Sequence, residues 1–404
     1  MSHTFSTYET LALASLVLLL GYFLVKRISI LKTFNVPEPV VGGFIVAIGL
    51  LIWNKVDGTS FNFDKNLQTT MMLVFFTSIG LSANFSRLIK GGKPLIVFLF
   101  VAGLLIICQN VIGVVGSLAL GIHPAYGLLA GSVTLTGGHG TGAAWADTFV
   151  HQFNLQGATE IAMACATFGL VFGGIIGGPV ARFLLNRQKQ GENPENDEVD
   201  DIQEAFEHPT YKRKITSRSL IETIAMMSIC LLIGQYLDAQ TKGTAFQLPT
   251  FVWCLFTGVI IRNILTNIFR FQVADSAIDV LGSVGLSIFL AIALMSLKLW
   301  ELAGLAVDVL IILAVQVVFM AVFAIYVTYR AMGKDYDAVV LSSGHCGFGL
   351  GATPTAVANM QAITSRFGPS HKAFLIVPMV GAFFIDLINA ALLKVSFAVV
   401  NMLV

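Results

Sequence analysis

The chain has 404 residues, 56% of them hydrophobic and only 12% charged, with a formal net charge of +1. Soluble domains carry about 25% charged residues, so this composition excludes an ordinary soluble protein and marks a polytopic membrane protein. The near-neutral balance gives no reason to expect a nucleic-acid partner.

A crossing helix needs about 20 mostly apolar residues. Apolar runs between polar breaks predict about ten spans, near 9–25, 38–54, 69–84, 94–119, 158–185, 219–237, 248–265, 278–297, 301–329 and 372–396. The first run, Leu11 to Val25, is followed by Lys26 and Arg27 and by no small-residue cleavage pattern, so it reads as a span and not as a cleaved signal. Glu38, between Pro37 and Pro39, reads as a helix-start residue at the membrane surface. Gln109 and Asn110 interrupt the fourth span deeply enough to line a cavity or to bond between helices. Glu160 stands near the start of the fifth. Gly173-Gly174-Ile175-Ile176-Gly177-Gly178 holds overlapping GxxxG patterns, which predict a close helix–helix contact. The segment 188–218, acidic at first and ending in the basic run Lys212-Arg213-Lys214, reads as a solvated cytoplasmic linker. It divides a membrane repeat over 1–187 from a second over 219–404.

Two stretches are too polar and too glycine-rich to be ordinary spans. Gly131 to Gly142 lies within 126–150, and Ser342 to Thr355 lies within 336–362. Each sits between the fourth and fifth spans of its half. Non-helical backbone survives in a bilayer only where protein or a water-filled cavity satisfies it. Paired interruptions at equivalent points of two halves point to a transporter's binding site. The halves echo one another: Tyr126 aligned with Tyr336 gives an offset of 210, and His139 aligned with His345 gives 206. Each island is expected to be a re-entrant hairpin.

Charge sets the expected orientation. With the N-terminus outside and the islands not crossing, 19 of the 24 Lys and Arg fall inside, Lys55, Lys65, Lys242, Lys298 and Lys394 being the exceptions. Five spans per half is an odd number, so the second repeat is inverted. The expected fold is therefore all-α, with two inverted five-helix repeats, hairpins entering from opposite sides, and both termini periplasmic.

Several runs resemble the bacterial sodium/glutamate symporter family: Val36-Pro37-Glu38-Pro39-Val40-Val41-Gly42-Gly43, Gly137-Gly138-His139-Gly140-Thr141-Gly142-Ala143-Ala144-Trp145, Ala162 to Leu170, Gly344 to Ala356, and Phe367-Gly368-Pro369-Ser370-His371. The resemblance covers nearly the whole chain. It implies uptake of L-glutamate driven by co-transported Na+ in a bacterial inner membrane. It further implies a homodimer whose substrate domain slides against a fixed scaffold, with no enzyme chemistry.

Glutamate carries two carboxylates and an ammonium, so a site for it should offer backbone N–H groups at half-helix N-termini. Gly137, Gly138, Gly140 and Gly347 can shape such concavities, and Thr141, Ser343, Thr353 and Thr355 can add hydroxyls. Gly344 and Cys346 belong to the same island, and Cys346 should be reachable by thiol reagents in some state. His139 and His345 read as neutral imidazoles bonded within their own hairpins in preference to proton relays. Arg366 could meet a substrate carboxylate or serve as a positive-inside anchor. For sodium the candidates are Asp386, an acid in mid-span, Asn389 one turn on, and Asn110. The five cysteines show no CxxC or CxxxH spacing, and there is no Walker, HExxH or GxSxG motif. The competing readings are sodium-coupled uptake of another carboxylate such as citrate or malate, an ion channel, and an intramembrane enzyme, which no nucleophile–base motif supports.

Overall fold

A computed structural model describes residues 2–33, 36–85, 92–188, 215–244, 248–297 and 306–403. Most of the linker expected over 188–218 lies outside them. In chain order the elements are β1 (Ser2–Thr4), α1 (Thr7–Arg27), α2 (Ser29–Thr33), α3 (Glu38–Asp57), β2 (Ser60–Asn62), α4 (Lys65–Ser82), α5 (Gly92–Ala119), α6 (Pro124–Leu128), α7 (Gly138–Phe153) and α8 (Ala158–Gln188). The second half holds α9 (Ser217–Thr241), α10 (Thr250–Asn263), α11 (Asp275–Met295), α12 (Ala306–Phe323), α13 (Tyr329–Ala331), α14 (Tyr336–Leu350), α15 (Thr353–Phe367), α16 (His371–Met379) and α17 (Ile385–Leu403). Among the described residues nine helices are long and apolar enough to cross a membrane. The chain is a multi-pass helical membrane protein; α4, at 18 residues, is the helix at the remaining expected span.

Local chemistry sets the ends that meet water. Ser6 caps α1 in a capping box, with Ser6 N–H donating to Glu9 Oε2 at 2.8 Å. Asp64 caps α4 by accepting from Asn66 N–H at 2.8 Å, and its carboxylate also receives the Thr7 hydroxyl. Thr216 caps α9, and Asp335 caps α14. Gly58 ends α3 in the left-handed conformation, with φ 70°.

The helices fall into two groups. In the first, α1 packs on α3 and α9 on α10, while α3 packs on α11 and α10 on α4. In the second, α5, α8, α12 and α17 surround the two islands, which are formed by α6 with α7 and by α14 with α15. Close approach there depends on missing side chains: a Cβ on Gly113 would stand 1.9 Å from the Gly127 carbonyl oxygen, so only glycine lets α5 and α6 meet. One buried apolar cluster runs through both groups. Phe75 and Leu286 sit over Gly140, and the Trp145 ring stands edge-on to Phe251 at 5.4 Å.

Each island is a pair of short helices separated by a break. Tyr126, in α6, donates its hydroxyl to the Gln156 carbonyl at 3.4 Å, just past the end of α7. Tyr336, at the start of α14, donates to the Gly368 carbonyl at 2.7 Å, just past the end of α15. In both pairs the first helix therefore begins beside the place where the second ends.

Candidate functional site

The two breaks are unequal. In the first, helical geometry fails at Gly131 (φ −109°, ψ −139°), and the chain turns through Thr134 to Gly137 before α7 begins. In the second, α14 runs unbroken through Ser342 to Leu350, and only Gly351 and Ala352 depart from helix. The polar residues expected at a loop tip in the second island thus lie inside a helix. Their small size serves packing: Ser343 donates to the Gly177 carbonyl at 3.0 Å, and a Cβ on Gly347 would stand 2.5 Å from Ala356 backbone. Gly344 lies under Met360 and Val377, and Cys346 is fully buried. In this conformation no thiol reagent reaches Cys346. The expected GxxxG contact is found here, because Gly173 and Gly177 receive α14 and α15, and Gly173 accepts from Asn359 Nδ2 at 2.9 Å.

The freed backbone of the first break is held by amides. Ser132 N–H donates to Asn110 Oδ1 at 3.1 Å. The Ser132 hydroxyl donates to Asn389 Oδ1 at 2.8 Å, and Asn389 Nδ2 returns to the Ser132 carbonyl at 3.1 Å. Both amides expected near sodium therefore already accept from Ser132. Gln109 links the two islands. Its Oε1 accepts the Thr136 hydroxyl at 2.6 Å, and its Nε2 donates to the Gly349 carbonyl at 2.7 Å. Gln316, in α12, donates to the Gln109 carbonyl at 2.7 Å and toward the Ala130 carbonyl at 3.4 Å. Buried polar groups in an apolar surround must be paired in this way.

The breaks meet. Gly138 sits at φ 66°, a conformation that favours glycine, and a Cβ there would lie 3.2 Å from the Gly351 carbonyl oxygen. α7 and α15 both begin at this junction, and neither first turn carries a side-chain cap. Two helix N-termini, each without a side-chain cap and each the positive end of a dipole, thus converge inside the protein, the Gly138 N–H being taken by the Thr134 carbonyl at 2.8 Å. The Thr141 side chain, in the first turn of α7, lies beside the Asp386 carboxylate at the start of α17. Thr353 approaches Gly381 in the π-helical stretch Val380–Phe384 that joins α16 to α17, and the Thr355 hydroxyl is buried with no partner among the described residues.

The structure therefore brings Gly137, Gly138, Gly140, Thr141, Thr353, Thr355 and Asp386 to one junction. It does not bring Arg366 there: Arg366 is exposed in the last turn of α15, 13 residues beyond Thr353 or about 20 Å along the helix. The histidines differ from expectation in their partners. His139 Nε2 shares a hydrogen bond with Thr167 of α8 at 3.0 Å, and His345 Nδ1 with Thr328, just before α13, at 2.9 Å. Each imidazole is turned toward a long neighbouring helix and not toward its hairpin mate; Phe98, Phe323 and Phe348 surround His345. Sequence reasoning missed Gln316, Asn359 and the bracing role of Ser132. For Gln316 a signal was present, because it follows Gln109 by 207 positions, inside the 206–210 repeat offset.

A helical membrane protein with two broken helix pairs meeting at its centre is the class defined by this fold and junction. The sequence profile of the sodium/glutamate symporter family matches residues 3–369, and the chain belongs to that family. It is 91% identical over 403 residues to the sodium/glutamate symporter of Haemophilus influenzae, covering 100% of both chains. It is 55% identical over 388 residues to that of Escherichia coli K12, covering 96% of both. A solved sodium proton antiporter from Methanocaldococcus jannaschii aligns over 96% of both chains at 12% identity with a TM-score of 0.44.

Proposed function

We propose that the chain couples sodium movement to the uptake of L-glutamate by alternating access across a bacterial inner membrane. The observation that carries this reading is the junction at Gly138 and Gly351, where two uncapped helix N-termini lie beside the Thr141–Asp386 pair. Membership of the sodium/glutamate symporter family supplies the substrate and the ion. The N–H groups opening α7 and α15 would receive the two carboxylates, with the Thr353 and Thr355 hydroxyls adding direction. Sodium takes oxygens, and Asp386 with Thr141 offers a carboxylate and a hydroxyl beside backbone carbonyls freed at the breaks. Each charge moved inward through 100 mV contributes about 2.3 kcal/mol to the uptake.

The motion we infer is an elevator. The second helix group, with both islands, would slide against α1, α3, α4, α9, α10 and α11. The seam at Phe75, Trp145 and Phe251 is where the two groups would slide past one another. An inverted repeat is supported by the pairings, since α1–α3 corresponds to α9–α10 and α3–α11 to α10–α4. The tyrosine bonds at the bases of both islands support re-entrant hairpins. We place both termini outside and the 188–218 linker inside on the basic-residue bias, and we take the assembly to be a homodimer.

The test is uptake of radiolabelled glutamate by purified protein in liposomes. Accumulation above equilibrium only under an inward sodium gradient is the expected result. Equal uptake with potassium in place of sodium, or preference for citrate or malate over glutamate, would overturn the assignment.

A further inference from the structure

One side-chain amide holds both islands at the point where they meet. Gln109, in α5, is 1% exposed. Its Oε1 accepts the Thr136 hydroxyl at 2.6 Å, and Thr136 stands two residues before α7. Its Nε2 donates to the Gly349 carbonyl at 2.7 Å, and Gly349 stands four residues before α15. That carbonyl belongs to the last turn of α14, beyond which no further turn supplies a helical N–H. The Thr136 hydroxyl and the Gly349 carbonyl are themselves 3.4 Å apart. The two helix N-termini of the junction are therefore registered to the two ends of a single amide.

The repeat mate of Gln109 secures it. Gln316, 207 positions further on, lies in α12 and is also 1% exposed. It gives its Nε2 to the Gln109 carbonyl at 2.7 Å and reaches the Ala130 carbonyl, just before the Gly131 break, at 3.4 Å. The α5 backbone at Gln109 is thereby tied to the first break. Buried amide bonds in an apolar surround are strong and specify one geometry.

We infer that Gln109 is a positioning residue that sets substrate length. It fixes the spacing between the N-termini of α7 and α15, and so selects an amino acid whose two carboxylates are separated as in glutamate. Gln109 acts through the islands and need not touch the substrate. The inference rests on the symporter reading, in which those two N-termini receive the two carboxylates. Aspartate is one methylene shorter and 2-aminoadipate one methylene longer, so neither seats both carboxylates on two fixed helix ends. In apolar enzyme pockets one methylene changes selectivity by about 10–200-fold. A misplacement of about 1 Å costs about 100-fold.

The test measures sodium-driven uptake of radiolabelled L-glutamate in liposomes, with L-aspartate and L-2-aminoadipate as competitors. The wild type should prefer glutamate to each by at least about tenfold. Gln109→Leu removes both bonds; it should raise the KM for glutamate and bring the homologues within about threefold of it. Thr136→Val releases the first island alone and should cut the preference by at least about threefold, and Thr136→Ser should recover it. The Thr136 pair gives the answer where Gln109→Leu does not insert. Ligand-induced thermal shifts of the purified variants should show the same loss of preference without transport. A wild type that accepts all three ligands equally would overturn the inference. So would variants that still transport and whose affinities for all three ligands are unchanged or fall by one common factor; both results leave sodium-driven glutamate uptake standing. Absence of that uptake in the wild type would instead overturn the symporter reading and this inference with it.

Discussion

Asn389→Leu tests whether amides hold the first break. The substitution keeps side-chain size while removing the bonds to the Ser132 hydroxyl at 2.8 Å and to the Ser132 carbonyl at 3.1 Å. Each orphaned buried group costs about 1–3 kcal/mol in a protein interior. Measured interhelical pairs in membranes average only about 0.6 kcal/mol and reach about 1.7, because freed groups find other partners. Ser132 and Asn389 are 0% and 1% exposed, and Asn110 already engages the Ser132 N–H, so few substitutes lie within reach. We therefore expect a loss near 2 kcal/mol, which is roughly a thirtyfold increase in local opening. Hydrogen exchange of peptides covering 129–137 should accelerate by about that factor, while peptides from α1 and α9 stay unchanged. Unchanged exchange at the break would refute the argument that Asn389 secures it.

Gly169→Ala places a methyl group 2.1 Å from the Leu350 carbonyl oxygen, where neither helix backbone can yield cheaply. We expect about 1–3 kcal/mol of overpacking and a large fall in glutamate uptake at normal membrane insertion; wild-type uptake would contradict the close contact of α8 with the second break. Tyr336→Phe removes the 2.7 Å bond to Gly368, a loss of about 1 kcal/mol, and hydrogen exchange should quicken near 366–370 but not near 154–157. At the N-terminus the Thr7 hydroxyl first, and the Asn66 N–H next, hold the Asp64 carboxyl below the usual aspartate range. Because its folded value is depressed, the contribution is fully present above about pH 4 and is lost as pH falls through that lower value. The protection of residues 2–10, corrected for the intrinsic pH dependence of amide exchange, should fall in acid in the wild type and fall less in Asp64→Asn, where the Glu9 carboxylate of the capping box is left to titrate.

Much of this was legible in the sequence, and the gaps have physical causes. Span positions were readable because lipid demands long apolar helices, and the Gly131 break because glycine and hydroxyl residues cluster there. The second break was drawn too wide because Ser343, Gly344 and Gly347 look like a loop, yet they form the small face that lets α14 pack against α8 and α15. Small residues serve flexibility and close packing alike, and one sequence cannot separate the two uses. Asn110 and Asn389 were read toward sodium because amide oxygens suit it; their geometry commits them to Ser132. Arg366 stood near the island in sequence, but a helix carries it about 20 Å from the junction.

In the proposed mechanism the Asp386–Thr141 pair beside the meeting breaks couples sodium to glutamate. The most direct measurement is the sodium-activation curve of glutamate uptake in liposomes, for the wild type and for Asp386→Asn, at saturating glutamate and with thermal stability checked on the same samples. The variant should melt like the wild type but need at least about tenfold more sodium for half-activation, a loss of about 1.4 kcal/mol or more. Superimposable activation curves would contradict it and move the sodium site away from Asp386.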